Sequence, residues 1–211
     1  MNTETARFNM IEQQIRPWEV LDPAVLELLA TMRREDFVPA AWRSLAFVDT
    51  QVPLLPGPAA LAEGACMLEP KVEARLLQEL KVQRHEKVLE IGAGSGFMAA
   101  LLAQMARDAL RRNGVLNATV HAVEAAAGAR GLAAEGPFDA IVLSGSVAEV
   151  PSALLEQLKP GGRLVAVVGQ EPVMVARLVT RTGPAAFGER DLFDTVAPRL
   201  LGFPEPTRFS F

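Results

Sequence analysis

The sequence predicts an α/β fold built on a doubly wound, mostly parallel β-sheet with an antiparallel edge. From residue 87 onward, apolar segments of strand length alternate with stretches of helical spacing, an order typical of parallel sheets. A glycine-rich turn follows the first predicted strand, at the edge where sheets of this class bind their ligands. Strands are predicted at 87–91, 119–123, 138–143 and 163–168, and one or two more within 173–180 and 192–196.

The residues before the sheet predict an N-terminal helical lobe. We expect a lobe with a substrate loop over 1–80 and a ligand-binding domain over 81–211, which together form one structural unit. Apolar residues recur at helical spacing between residues 6 and 35, where Asp22 and Pro23 are suited to begin a second helix.

A long loop and a third helix are expected next. Residues 48–69 are rich in proline, glycine and alanine, which predicts a loop of a length that often carries binding residues. Pro70 is expected to begin a helix that runs through Leu80. Its apolar side consists of Val72, Leu76, Leu77 and Leu80.

The overall composition excludes several classes of function. Half of the 211 residues are hydrophobic, which permits a substantial buried core. The net charge of −4 argues against nucleic-acid binding, which requires a basic face. One cysteine and two histidines offer little for a disulfide or a metal site. No apolar segment resembles a signal peptide or a membrane span, so we expect a cytoplasmic protein with no membrane partner.

The turn after the first strand reads Glu90-Ile91-Gly92-Ala93-Gly94-Ser95-Gly96. Its glycines allow a sharp turn and a close approach to a ligand, and the following helix presents free N–H groups. A phosphate-binding loop would end in Gly-Lys-Ser/Thr, which Gly96-Phe97 does not supply. A dinucleotide-binding turn would have its third glycine where Phe97 stands, so that alternative fits only in part.

An acidic residue followed by glycine at every second position resembles motif I of class I methyltransferases, which use S-adenosylmethionine. Residues 137–143 resemble the fourth strand of that superfamily, and residues 154–164 resemble its helix, Lys-Pro-Gly-Gly turn and fifth strand. The resemblance implies that the acidic residue faces the methionine portion of the cofactor. The implied cofactor residues are Glu90, Gly92, Ala93, Gly94, Ser95, Gly96, Glu124 near the adenine, and Ser144 at the carboxyl edge of the sheet.

Within that superfamily, the chain resembles the protein-L-isoaspartate O-methyltransferases over most of its length. The N-terminal lobe makes this resemblance specific, because methyltransferases at large do not share it. The matching segments are 10–15, 34–39, 46–49, 53–54, 88–96, 99–102 and 150–151. The resemblance implies protein repair by methyl transfer to a carboxylate of damaged aspartyl residues. A carboxylate is ionised at neutral pH, so the reaction needs no general base.

The predicted substrate loop departs from the family pattern. The family usually has a Thr-Ile-Ser-Gln-Pro-like segment where this chain has Cys66-Met67-Leu68-Glu69-Pro70. Leu68 stands at the position of the active-site hydroxyl and cannot hydrogen-bond the reacting carboxylate. Glu69 replaces the amide and would repel that carboxylate by like charge. Met67, Leu68, Glu69 and Pro70 are therefore the candidate substrate residues, and the catalytic residue stays undetermined.

A second departure lies between Gln104 and Met105. The family has a second strand there, which ends in an acidic residue that holds the ribose hydroxyls of the cofactor. The strand with its loops needs roughly ten to twenty residues. Either the protein has lost this strand or its sequence is incomplete at this point. We favour an incomplete sequence, because losing an inner strand would disrupt the sheet.

Three hypotheses on function follow. The first is a methyltransferase for isoaspartyl sites in a protein or peptide. The second keeps the cofactor but takes a different acceptor, such as a small molecule, because Glu69 suits a cationic or hydroxyl acceptor better than an anion. The third is a non-catalytic relative that binds a partner through its N-terminal lobe, in line with the apparent loss of the second strand.

Overall fold

The structure, a computed structural model, describes residues 2–57, 64–110 and 125–205. The chain divides into two compact units. The helical unit comprises Met1–Glu86 and Ala93–Thr119, and the sheet unit comprises Lys87–Gly92 and Val120–Phe211. Among the described residues, no helix is both long and apolar enough to cross a membrane.

The helical unit begins with two helices, as predicted. Its first elements are α1 (Thr3–Met10), a π-helical turn (Ile11–Ile15), a 3-10 turn (Arg16–Trp18) and α2 (Pro23–Thr31). Asp22 caps α2, because its carboxylate accepts hydrogen bonds from the backbone N–H groups of Ala24 at 2.8 Å and Val25 at 3.4 Å. Pro23 occupies the first turn, where no intrahelical partner exists for an N–H group.

A short strand pair and two longer helices follow in the helical unit. The elements are 3-10 turns at Arg34–Asp36 and Ala40–Leu45, β1 (Val52–Pro53), β2 (Cys66–Met67), α3 (Pro70–Leu80) and α4 (Phe97–Leu110). β1 and β2 pair antiparallel with Val52 opposite Met67, so the stretch predicted as one loop contains a small ladder. α3 has the predicted bounds and buries the predicted apolar side, with Leu76 and Leu77 fully buried.

Gln104 and Met105 are consecutive in α4, which runs from Phe97 to Leu110 without interruption, so no strand lies between them in the structure. The expectation that the sequence is incomplete at this point stays a prediction. The predicted strand at 119–123 lies outside the described residues.

The sheet unit contains a five-stranded mixed sheet with the order β3-β4-β5-β6-β7. Its strands are β3 (Val88–Ile91), β4 (Phe138–Val147), β5 (Leu158–Gln170), β6 (Val173–Arg181) and β7 (Phe187–Asp194), and its short helices are α5 (Ala125–Gly128) and α6 (Ser152–Leu155). β3, β4 and β5 are parallel, whereas β6 and β7 run antiparallel and form the predicted edge. The core between the strands and α6 includes Ile141, Leu143, Leu154 and Leu164, all fully buried. The predicted α/β class is therefore confirmed.

Two predicted boundaries in the sheet unit were wrong. β5 begins at Leu158 rather than at residue 163, because Leu158 already pairs with Phe138 before a bulge brings Arg163 opposite Ala140. The helix that the resemblance implies at the start of residues 154–164 is therefore reduced to the single turn of α6, which ends at Leu155. β7 begins at Phe187 rather than at 192, because it pairs along almost the whole length of β6.

Candidate active site

The sheet unit brings together two of the predicted cofactor residues, Glu90 and Ser144. In the parallel ladder, Glu90 lies opposite Val142 and Ile91 lies opposite Leu143, so Ser144 follows directly at the carboxyl end. The Ser144 hydroxyl donates a hydrogen bond of 2.6 Å to the Glu90 carboxylate. This bond fixes the orientation of an acidic group at the edge where α/β sheets bind ligands.

Gly92 continues directly from this strand end and requires the absence of a side chain. Its φ of +86° lies in the region that favours glycine. A Cβ at this position would lie 2.5 Å from Cδ2 of Leu200 and 3.6 Å from the backbone oxygen of Ser144. A Cβ at Gly145 would also meet Leu200 Cδ2, at 2.7 Å. Leu200 therefore packs onto two glycines at the carboxyl ends of β3 and β4.

The segment that carries Leu200 is held to β4 by backbone hydrogen bonds. The N–H of Ser146 donates to the carbonyl of Pro198 at 2.8 Å, and the N–H of Leu200 donates to the carbonyl of Ser146 at 2.9 Å. Arg199 extends this attachment, because its guanidinium donates to the carbonyl of Gly169 at 3.0 Å. The sequence carried no signal for this contact, since Leu200 is 108 positions from Gly92 and follows the last strand.

The rest of the glycine turn belongs to the helical unit and begins α4. Gly94 and Gly96 have φ values of +51° and +80°. The N–H of Gly96 donates to the carbonyl of Ala93 at 2.7 Å, which closes the turn. The Ser95 hydroxyl accepts a hydrogen bond of 3.3 Å from the N–H of Phe97 and so caps the helix. Glu124, the remaining predicted cofactor residue, lies outside the described residues.

The acceptor segment, as we call residues 66–70, connects β2 to α3. Met67 and Leu68 are 3% and 4% exposed, so the position where the resemblance expects a hydroxyl is filled by a buried apolar side chain. Pro70 is the first residue of α3, as predicted. Burial, together with the charges of Glu69 and Glu73, raises the pKa of the Cys66 thiol to about 12, so this thiol is no nucleophile at neutral pH.

Glu69 is an acid with one unsatisfied oxygen. Its Oε1 accepts a hydrogen bond of 3.3 Å from Nε2 of Gln51, whereas Oε2 is buried without a hydrogen-bond partner among the described residues. Burial raises the pKa of Glu69 above its ordinary value; the negative charge of Asp49 raises it further, and hydrogen bonding and Lys71 oppose the rise. The acceptor segment therefore carries a carboxyl group that ionises at higher pH than an exposed glutamate.

A buried ion pair lies beside the acceptor segment. Arg34 is 1% exposed and forms a salt bridge to Glu73 on α3, which is 5% exposed. A second nitrogen of Arg34 donates to the carbonyl of Leu68 at 2.8 Å. Burial raises the pKa of Glu73 to about 7, and the charge and hydrogen bond of Arg34 only partly oppose this rise.

Comparison with known proteins assigns the chain to a family. The sequence model of the family "Protein-L-isoaspartate(D-aspartate) O-methyltransferase (PCMT)" matches residues 5–192. A protein-L-isoaspartate O-methyltransferase of Methylorubrum populi is 35% identical over 201 residues, which include 90% of this chain and 92% of the relative. This chain belongs to the protein-L-isoaspartate O-methyltransferase family. The relative of the same name from Rhodopseudomonas palustris is 37% identical and covers 92% of each chain.

Solved structures of two proteins share the fold of this family member. One is a Plasmodium falciparum protein described as a protein-L-isoaspartate O-methyltransferase in complex with S-adenosyl-L-homocysteine. Its TM-score is 0.67 at 17% identity, and the match covers 96% of this chain and 99% of that protein. Another protein-L-isoaspartate O-methyltransferase has a TM-score of 0.70 at 20% identity and covers 93% of this chain and 65% of its own. Both likenesses agree with the predicted fold class.

Sequence reasoning missed the roles of Arg34 and Glu73 in this family member. In the sequence, Arg34 belongs to a segment that matches the family, and no motif contains Glu73. The sequence does contain one signal, because Glu73 precedes Leu76, Leu77 and Leu80 at helical spacing and therefore falls on the apolar side of α3. A charged residue on an apolar helix face predicts a buried partner of opposite charge.

Replacement of Glu73 by glutamine tests the raised pKa of its carboxyl group. In wild type, the raised pKa means that the folded protein binds the Glu73 proton more tightly than the unfolded chain does. The free energy of unfolding therefore falls as pH rises from the ordinary pKa of 4.5 to about 7. Glu73→Gln removes this contribution, whereas Arg34 and Glu69 still face the position. We expect the stability of wild type relative to Glu73→Gln to decrease between those pH values. Urea unfolding of both proteins across this range measures the difference, and a constant or rising difference would contradict the assignment.

Proposed function

We propose that this chain is an S-adenosylmethionine-dependent O-methyltransferase that methylates a carboxylate of damaged aspartyl residues in proteins. The family match over residues 5–192 carries this proposal. The relatives from Methylorubrum populi and Rhodopseudomonas palustris have this name and match along nearly their full length. The hydrogen-bonded Glu90 and Ser144 at the carboxyl ends of β3 and β4 support it from the geometry.

The residues present fit the cofactor. When bound, S-adenosylmethionine supplies a methyl group on a cationic sulfonium. The carboxylate of Glu90, oriented by Ser144, suits a cationic ligand. A Cβ at Gly96 would meet no atom of the described residues within 4 Å. The proposed cofactor residues are Glu90, Gly92, Ala93, Gly94, Ser95, Gly96 and Ser144, together with Glu124.

The proposed reaction is a single displacement in which an acceptor carboxylate oxygen bonds to the methyl carbon while the carbon–sulfur bond breaks. The acceptor is already ionised at neutral pH, so the protein needs to align the two reactants and exclude water rather than move a proton. We assign acceptor contact to Met67, Leu68, Glu69 and Pro70. Leu68 excludes water from this segment but offers no hydrogen bond.

Two assays test this function in order. Calorimetric titration of the full chain with S-adenosylmethionine is expected to give saturable binding. Methyl transfer from labelled cofactor to a peptide with one isoaspartyl residue is then expected to exceed transfer to the matched aspartyl peptide. Absence of cofactor binding by the folded protein would refute the proposal, and binding without isoaspartyl transfer would leave only the methyltransferase part.

A second candidate function keeps the cofactor and changes the acceptor. The unsatisfied, buried Oε2 of Glu69 favours it, because a cationic or hydroxyl acceptor could donate a hydrogen bond to that oxygen. The two candidates differ in their substrates, so cofactor consumption with amine or hydroxyl compounds, and none with isoaspartyl peptide, would select the second.

A third candidate is a non-catalytic relative that binds a partner. The unbroken α4 at Gln104 and Met105 favours it, because the family strand expected there carries the residue that holds the ribose. The calorimetric titration decides this point directly.

We further propose that residues 1–80 serve as an acceptor-binding lobe and residues 81–211 as the cofactor-binding domain of a cytoplasmic protein.

A further inference from the structure

Arg34 connects three separate segments of the helical unit through its guanidinium. Nε donates to the carbonyl of Ala46 at 3.0 Å, Nη2 donates to the carbonyl of Leu68 at 2.8 Å, and Nη1 donates to the carboxylate of Glu73. A single buried side chain thus holds the backbone of the acceptor segment at the residue that occupies the family's hydroxyl position.

The same guanidinium also contacts the helix that follows the glycine turn. It lies 4.8 Å from the ring centroid of Phe97, the first residue of α4, directly after Gly96. Phe37 packs edge-on against the same ring with a centroid distance of 5.4 Å. The planar cation of Arg34 therefore contacts both the acceptor segment and the first turn of α4.

We propose that Arg34 is a positioning residue for methyl transfer, which fixes the acceptor segment at Leu68 and the start of α4 at Phe97 in one arrangement. The proposal rests on the proposed function, because it assigns the acceptor to residues 66–70 and the cofactor to the turn before Phe97. Arg34 contacts no reacting atom and acts through these two segments.

Stability alone does not account for an arginine at this position. A buried ion pair can often be replaced by apolar residues without loss of stability, because desolvation of the charges offsets their attraction. Arginine provides a planar fork that can donate in several directions and stack on an aromatic ring at once. Lysine keeps the charge but cannot reach three acceptors while it covers the ring of Phe97. The geometry of the donor groups, rather than the charge alone, therefore explains why arginine occupies this position.

Arg34→Lys, with Arg7→Lys as the matched control, tests the proposal. Arg7 also forms an ion pair, 2.7 Å long with Glu35, and also lies over an aromatic ring, that of Phe47 at 5.6 Å. Neither of these contacts of Arg7 involves Leu68 or Phe97. Arg34→Lys is expected to raise both KM for the acceptor and Kd for S-adenosylmethionine about tenfold, since small misplacements at a reacting centre have effects of this size. Arg7→Lys is expected to leave both constants within about twofold.

Hydrogen exchange gives a second readout that does not depend on activity. In Arg34→Lys we expect faster amide exchange at the acceptor segment and in the first turn of α4 together, and in Arg7→Lys at neither. If Arg34→Lys does not fold, Glu73→Gln takes its place, because it keeps the arginine but removes the carboxylate that anchors its guanidinium. Unchanged exchange in both segments, or a loss of Tm with unchanged KM and Kd, would overturn the proposal. Failure of wild type to bind cofactor would instead refute the proposed function, and exchange would then report only whether Arg34 holds the two segments in place.

Discussion

Gly92→Ala is expected to weaken S-adenosylmethionine binding by roughly tenfold to a hundredfold. Two effects add at this position. The φ of +86° costs a residue with a side chain about 1–2 kcal/mol. The new methyl group would also lie 2.5 Å from Cδ2 of Leu200, so either the turn or the Leu200 side chain must shift. Calorimetric titration of the variant with the cofactor measures the loss.

Two further variants separate strain from the steric clash at Gly92. Leu200→Ala alone reports the loss of the leucine side chain without strain or clash at Gly92. Leu200→Ala in the Gly92→Ala background removes the clash and leaves the strain. We expect the double variant to bind better than Gly92→Ala and less well than Leu200→Ala. Equal binding by Gly92→Ala and wild type would mean that this turn does not shape the cofactor site.

The sequence predicted those features of the fold that depend on neighbouring residues. Asp22 and Pro23 begin α2, and α3 runs from Pro70 to Leu80 as its apolar spacing indicates. The strand before Gly92 ends where the glycines begin. Each of these signals lies within a few residues of the structure it determines, and such local signals are legible without knowledge of tertiary packing.

The features that sequence reasoning missed depend on distant partners. Leu158 begins β5 early because Phe138 on the neighbouring strand is available to pair with it. Leu200 reaches Gly92 only because the segment after β7 binds to the end of β4 at Ser146. In the sequence, Arg34 looks like an ordinary surface arginine, and only the structure shows that it is buried. Spacing along the chain does not identify the distant partner in any of these contacts.

The acceptor segment shows how far a family resemblance extends. The resemblance placed Leu68 at the position of a hydroxyl and Glu69 at that of an amide, and the family match confirms the relationship on which this placement rests. Only the structure shows that Leu68 is buried and that Glu69 keeps one oxygen without a hydrogen-bond partner among the described residues. The effect of Leu68 and Glu69 on the reaction can therefore be tested by substitution.

Glu69→Gln is expected to raise kcat/KM for an isoaspartyl peptide by about tenfold, a change equivalent to about 1.4 kcal/mol. An ionised Glu69 repels the acceptor carboxylate, whereas the amide can donate a hydrogen bond to it. Burial raises the pKa of Glu69, so the wild-type carboxyl group loses its proton at a higher pH than an exposed glutamate does. As the pH increases through this pKa, wild-type activity should decline relative to that of the variant. Glu27→Gln, an exposed change of the same charge on α2, is the control and should match wild type.

Adding Leu68→Ser to Glu69→Gln restores the hydroxyl of the family pattern and should increase kcat/KM by a further factor of about ten, as a hydrogen bond to a charged group contributes about 1.5–3 kcal/mol. The same change removes a side chain that is 4% exposed, and loss of a buried leucine costs about 2–5 kcal/mol of stability. The comparison is therefore made at low temperature on protein shown to be folded by circular dichroism. A gain in both variants identifies a carboxylate as the acceptor, because only an anion benefits from loss of the Glu69 charge. No gain from Glu69→Gln, which needs no repacking of the core, would favour an acceptor that binds to the Glu69 carboxylate itself.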